Sequence, residues 1–278
     1  MKKVSFGIVV LAILGIIAYF FLLDQPQAPE RAPVAVPQRA IEPVVAPTVK
    51  VDEPLPPAEP VERYPVALES ESTGSTAPDL ESSDATISKT LSTMLGGKIW
   101  HDYFYPKALI RRFVVTVDNL PRKAVSANML PVKTVGGAFL VSGQPDSMSI
   151  APENDQRYVR YISVLNAVKV PALVDLYIQL YPVFQDVYRG LGYPQGHFND
   201  RLIEALDDLL ATPTIKPPVA VAQPRVLYTY ADAELEARSA GQRIIMRLGA
   251  ENAQQLKAVL TKIRAEVLSR APGESSKP

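Results

Sequence analysis

The run LVDLYIQLYPVFQDVYRGL, Leu173 to Leu191, decides the fold. Within it Leu173, Leu176, Tyr177, Leu180, Tyr181, Phe184, Val187, Tyr188 and Leu191 recur at intervals of three and four. That rhythm lays apolar side chains along one face of a helix of about 3.6 residues per turn, whereas a half-buried strand alternates with a period of about two. The spacing predicts a helix of about five turns, bent at Pro182 and closed by Gly190 and Gly192.

The same pattern extends to either side. Tyr158, Tyr161, Leu165 and Val168 predict a preceding helix that starts near Pro152 and stops before Pro171. Asn199 reads as the cap of the next helix, with Asp200 in its first turn, where the dipole favours an anion, and Leu202, Ile203, Leu206, Leu209 and Leu210 as its apolar face. Pro213, Pro217 and Pro218 end it. Asp232 is expected to cap a helix through Leu235, Ile244, Ile245 and Leu248. Beyond Gly249, Leu256, Val259, Leu260, Ile263 and Val267 mark a final helix, the two forming an αα-hairpin.

Towards the amino terminus, Ser83 or Asp84 is expected to cap a short helix through Ile87, Leu91, Met94 and Leu95, ended by Gly96 and Gly97. Pro106 reads as the first position of another, through Leu109, Ile110, Phe113, Val114 and Val117. Gly137–Ser142 resembles a short buried strand, and Val219–Val221 and Arg225–Tyr230 look extended. The fold class is therefore a mainly α domain over residues 84–270 with a small β element, followed by a disordered tail over 271–278.

Residues 4–23 are of another kind. These 23 − 4 + 1 = 20 residues carry no charge, and at ~1.5 Å per residue a helix of that length spans the ~30 Å apolar core of a bilayer. A cleavable signal would have a shorter apolar run, of roughly 7 to 15 residues, and small residues at a cleavage site. Here Leu22 and Leu23 lead into Asp24, Gln25 and Pro26. With Lys2 and Lys3 before it and an acidic stretch after it, the helix is expected to be a single-pass anchor with its amino terminus in the cytoplasm. In a bacterium with two membranes this is the inner membrane, and the following domain is periplasmic. Residues 24–83 read as a disordered, proline-rich acidic linker. Eleven prolines fall between Asp24 and Pro65, and proline removes backbone donors and favours extended polyproline II, about 3 Å per residue.

The zero net charge hides a partition. Residues 1–23 carry +2, residues 24–85 carry 4 − 12 = −8, and the remainder carries 23 − 17 = +6. Part of the basic excess is a cluster of Lys107, Arg111, Arg112, Arg122 and Lys123, a candidate patch for anionic lipid or glycan and otherwise a solvated charged face. The absence of cysteine excludes disulfides, thiolate metal sites and cysteine nucleophiles.

No GxSxG, SxxK, Walker A, dinucleotide or HExxH motif occurs, and His101 and His197 are the two histidines. No cofactor, metal or nucleic-acid partner is expected. The candidate ligand or partner site is Tyr193, His197, Asn199, Asp200, Arg201 and Glu204, because it gathers aromatic, basic and acidic groups around one helix entrance. Its plain alternative is a helix start with Asn199 as cap and His197 in the preceding turn. Asp200, Glu204 and His197 also admit a hydrolase acting on cell-wall glycan, a chemistry that requires two carboxyl groups across the scissile bond.

The runs Tyr181-Pro182-Val183-Phe184-Gln185, Leu191-Gly192-Tyr193-Pro194, Phe198-Asn199-Asp200-Arg201, Tyr230-Ala231-Asp232-Ala233-Glu234-Leu235-Glu236 and Ser239-Ala240-Gly241-Gln242 together resemble an uncharacterised family of proteobacterial membrane-anchored proteins, a domain of unknown function. The resemblance covers roughly Lys89 to Arg264. It implies the anchored architecture and supplies no activity, substrate or catalytic residue. The resulting expectation is a membrane-tethered binding or scaffold protein of the bacterial cell envelope, with an envelope protein, a lipid or peptidoglycan as partner.

Overall fold

The computed structural model describes residues 62–66, 80–133 and 137–270. The expected anchor over 4–23, the tail over 271–278 and most of the linker lie outside the described residues.

The described domain is mainly helical, with two small antiparallel sheets. Its helices are α1 (Leu80–Leu95), α2 (Gly97–Tyr103), α3 (Leu109–Asn119), α4 (Asn154–Asn166), α5 (Val170–Gly190), α6 (Phe198–Leu210), α7 (Ala233–Glu236), α8 (Ala240–Met246) and α9 (Ala250–Ser269). The decisive run is α5. It continues through Pro182 without a break, since burial of Leu173, Tyr177, Leu180, Phe184 and Tyr188 on one face outweighs one lost backbone bond.

The centre is built by α3, α5, α6 and α9, with α4 packed on α9 and α1 and α2 closing the side of α3. Phe113 of α3, Tyr177 and Phe184 of α5 and Phe198 of α6 meet there. Phe184 lies 5.5 Å from Phe113 in edge contact and stacks on Phe198 at 5.7 Å. Burying each such ring contributes about 1.5–3 kcal/mol before packing is counted. Among the described residues no single helix is long and apolar enough to cross a membrane. Only α4 and α5 together pass that test, as a pair bent by 76°, and their apolar faces are in the core.

Several expected boundaries move. The first helix starts at Leu80, so Asp84 lies inside it. Its carboxylate instead accepts from Ala108 N at 2.5 Å and Leu109 N at 2.8 Å, capping α3, which begins three residues after Pro106. The Gly137–Ser142 strand is reduced to β1 (Val141–Ser142), paired with β2 (Ser149–Ile150). It is not buried: Leu140 is 41 % exposed. The second hairpin is β3 (Val221–Ala222) with β4 (Thr229–Tyr230), and a single bridge between Ser149 and Ala220 joins the two. The helix expected from Asp232 to Leu248 is two. Asp232 caps α7 through Glu234 N and Leu235 N, and Ser239 caps α8 through Gln242 N. The last helix, α9, packs chiefly on α4, α5 and α6 rather than forming a simple hairpin with α8.

Candidate functional site

The entrance of α6 is organised from a distance. Phe198 N donates to Gln185 Oε1 at 2.8 Å, and Gln185 Nε2 donates to Gly196 O at 2.6 Å. The cap is thus a carboxamide on α5, not Asn199 as the local pattern predicts. His197 occupies the cap position, and its side chain makes no capping bond. Asn199 is buried, and Tyr177 OH donates to its Oδ1 at 2.9 Å. Burial, aided by Tyr181, Glu62 and Asp200, holds the Tyr177 phenol well above its usual range, so it remains a donor.

Freed from capping, Asn199 and Asp200 hold a second stretch of backbone. Arg63 N and Tyr64 N donate to the two oxygens of the Asp200 carboxylate at 3.0 and 2.8 Å, and Asn199 Nδ2 donates to Tyr64 O at 2.8 Å. Glu62 Oε1 lies 3.6 Å from His197 Nδ1, and Arg63 Nε lies 3.8 Å from Asp200. Tyr64 and Val66 pack against the core. Residues 62–66 were expected to be spacer; here they are clasped onto the domain. The sequence signal was faint: one aromatic, Tyr64, within a stretch dominated by Pro, Glu, Ala and Val.

One residue further on, Arg201 points the other way. It donates from Nε to Asp118 Oδ1 at 3.1 Å, donates from Nη2 to Asp118 O, and pairs through Nη1 with Glu204 at 2.7 Å. Arg122 reaches the same Asp118 oxygen at 3.1 Å, Tyr193 OH donates to its Oδ2 at 3.2 Å, and Arg122 Nη2 donates to Tyr193 OH at 2.6 Å. Tyr193 stacks on Tyr188 at 4.7 Å. Sequence reasoning missed Asp118 as the hub. The available signal was its place on the stripe of Leu109, Ile110, Phe113, Val114 and Val117, where a charge requires partners.

The six candidate residues therefore adjoin one another but divide into two devices: His197, Asn199 and Asp200 with the 62–64 backbone, and Tyr193, Arg201 and Glu204 with Asp118. The basic cluster disperses. Arg122 joins the hub, Lys123 Nζ donates to Ala237 O, and Arg112 donates to Asn128 O and Leu130 O and lies 4.9 Å over the Tyr105 ring. Lys107 and Arg111 are exposed. Among the described residues no group of three or more His, Asp or Glu is placed to hold a metal ion.

A cavity of about 700 Å³ opens between the first turns of α4 and α9 and the segment 213–219, which follows the carboxyl end of α6. No sequence motif marks it, because its residues come from three separate stretches, 150–155, 213–219 and 245–257.

A helical domain whose polar site fastens a preceding irregular segment of its own chain is the class that fold and geometry define. Residues 109–264, 264 − 109 + 1 = 156 of 278, match the family described as "Protein of unknown function (DUF3014)", and the chain belongs to that family. No curated protein and no solved structure matches the chain.

Proposed function

We propose that this chain is a noncatalytic, membrane-tethered binding or scaffold protein of a proteobacterial cell envelope. Residues 4–23 anchor it in the inner membrane with the amino terminus in the cytoplasm, residues 24–61 give it reach, and the helical domain works in the periplasm on a protein, lipid or wall polymer. One observation carries this reading: the carboxylate of Asp200 is spent on two backbone amides of the segment that arrives from the anchor. An acid or base in glycan hydrolysis must face substrate, whereas Asp200 faces Arg63 and Tyr64, and Glu204 is paired with Arg201.

The chain has no cysteine, so a Ser276→Cys variant carries one thiol. In cells with a permeabilised outer membrane it should react with an impermeant maleimide while fractionating with membranes. Labelling only after inner-membrane lysis, or recovery in the soluble fraction, overturns the topology. Crosslinking in intact envelopes should recover a stoichiometric partner, and the purified full chain should release no fragments from wall glycan. Release that the double variant Asp200→Asn, Glu204→Gln abolishes would establish the enzyme instead.

A further inference from the structure

Neither the clasp nor the Asp118 hub uses the cavity at the first turns of α4 and α9. Its volume of about 700 Å³ lies within the roughly 300–1,000 Å³ of small-molecule sites. Ile150, Ile215, Val219, Ile245, Met246 and Ala253 supply apolar wall, and Asp155, Glu251, Arg247 and Lys257 supply charge.

The two signs of charge are not equivalent. Lys257 Nζ donates to Thr212 O. Arg247 donates to Tyr228 O at 2.8 Å and lies 5.5 and 5.4 Å over the rings of Phe139 and Tyr230. Each of these cations already donates to a backbone carbonyl of the protein. Among the described residues no cation pairs with Asp155 or Glu251; the Glu251 carboxylate accepts from the Gln255 amide at 3.4 Å.

The backbone accommodates this arrangement at some cost. Gly249, which precedes α9, has φ +84°, and a Cβ there would lie 2.2 Å from the Asp155 carboxylate. Only a bare α-carbon lets that carboxylate lie against the start of α9. Asn252 Nδ2 donates to Asp155 O at 2.9 Å and fixes the two first turns together. Burial, and then the like charge of Glu251, push the Asp155 carboxyl up, a shift that a cation bound between the two would reverse.

We propose that this cavity binds a small amphipathic amine, its apolar body against Ile215, Val219, Ile245 and Met246 and its ammonium between Asp155 and Glu251. Between Asp155 and Glu251 an anionic headgroup would add a third negative charge, and a neutral one would strip water from the part-buried Asp155 carboxylate without replacing it. The site lies wholly within residues 150–257 and does not rest on the tethered reading, which is tested by labelling and crosslinking and stands if the cavity binds nothing.

The full chain in lipid nanodiscs, titrated calorimetrically with 1-adamantylamine, 1-adamantanol and 1-adamantanecarboxylate against empty nanodiscs, compares three headgroups on one cage. The amine should bind saturably at one per chain, with the alcohol and acid at least ten-fold weaker. The double variant Asp155→Asn, Glu251→Gln should weaken the amine at least ten-fold and leave the alcohol unchanged, with circular dichroism verifying its fold. Absence of saturable amine binding, equal binding of the acid, or an unchanged amine affinity in the folded double variant would overturn the proposal.

Discussion

Asp118 stands on α3 between Val117 and Asn119, on a helix whose Phe113, Val114 and Val117 are fully buried. It persists there because two guanidiniums and a phenol reach it. Its side chain is 9 % exposed and that of Arg201 12 %, so removing Asp118 leaves a largely buried Arg201 charge with Glu204, at its exposed edge, as the acidic group that still pairs with it. Asp118→Ala should therefore lower the unfolding free energy by about 3–5 kcal/mol, read by urea denaturation. Asp118→Leu combined with Arg201→Met should cost less than Asp118→Ala alone, because the stranded charge is gone. Residue identity alone does not reveal such a hub. Arg122 and Arg201 are 79 positions apart (201 − 122), and only the packing of α3 on α6 brings them to one oxygen.

At the scale of elements, long-range capping is the recurrent device. Asp84 of α1 caps α3, and Gln185 of α5 caps α6. Each ties a helix start to a neighbour rather than to its own preceding residue. Asp84→Ala should cost about 1 kcal/mol and speed hydrogen exchange at Leu109 N, while Asp84→Asn, which keeps an acceptor, should cost less. The helices themselves were legible wherever apolar residues kept the helical interval, as in α5, α6 and α9, because burying such a face fixes an element whatever its ends do. Ends were not legible. Asn199 is a favoured capping residue, yet a remote carboxamide takes the role; and Ser239, a true cap, divides what the spacing of Leu235 and Ile244 reads as one helix. Strands of two residues are too short to show alternation. That the six candidate residues lie near one another was legible, because five of them fall within residues 197–204 and Tyr193 shortly before; their partners were not, because these come from residues 62–64 and from α3.

For the whole molecule, the question is whether residues 62–66 move as one body with the helical domain. With the Arg63 and Tyr64 amides bound, the peptide bond after Arg63 should resist trypsin. Asp200→Ala should make it one of the first cleaved in the full chain, within a domain that otherwise stays intact. Equal cleavage rates in both proteins would show that the clasp does not hold in solution.

The position of that clasp also determines where force enters. Along the chain, residues 62–64 precede Leu80, so a pull from the amino-terminal side is met first by Asp200 and Asn199 at the start of α6, in the same helix turn as Arg201. Tension would be delivered to a central core helix, braced through Asp118 to α3, instead of peeling α1 from the edge. Such a pull would reach the domain through the start of α6, and none of the clasp residues is among those that line the cavity at the first turns of α4 and α9.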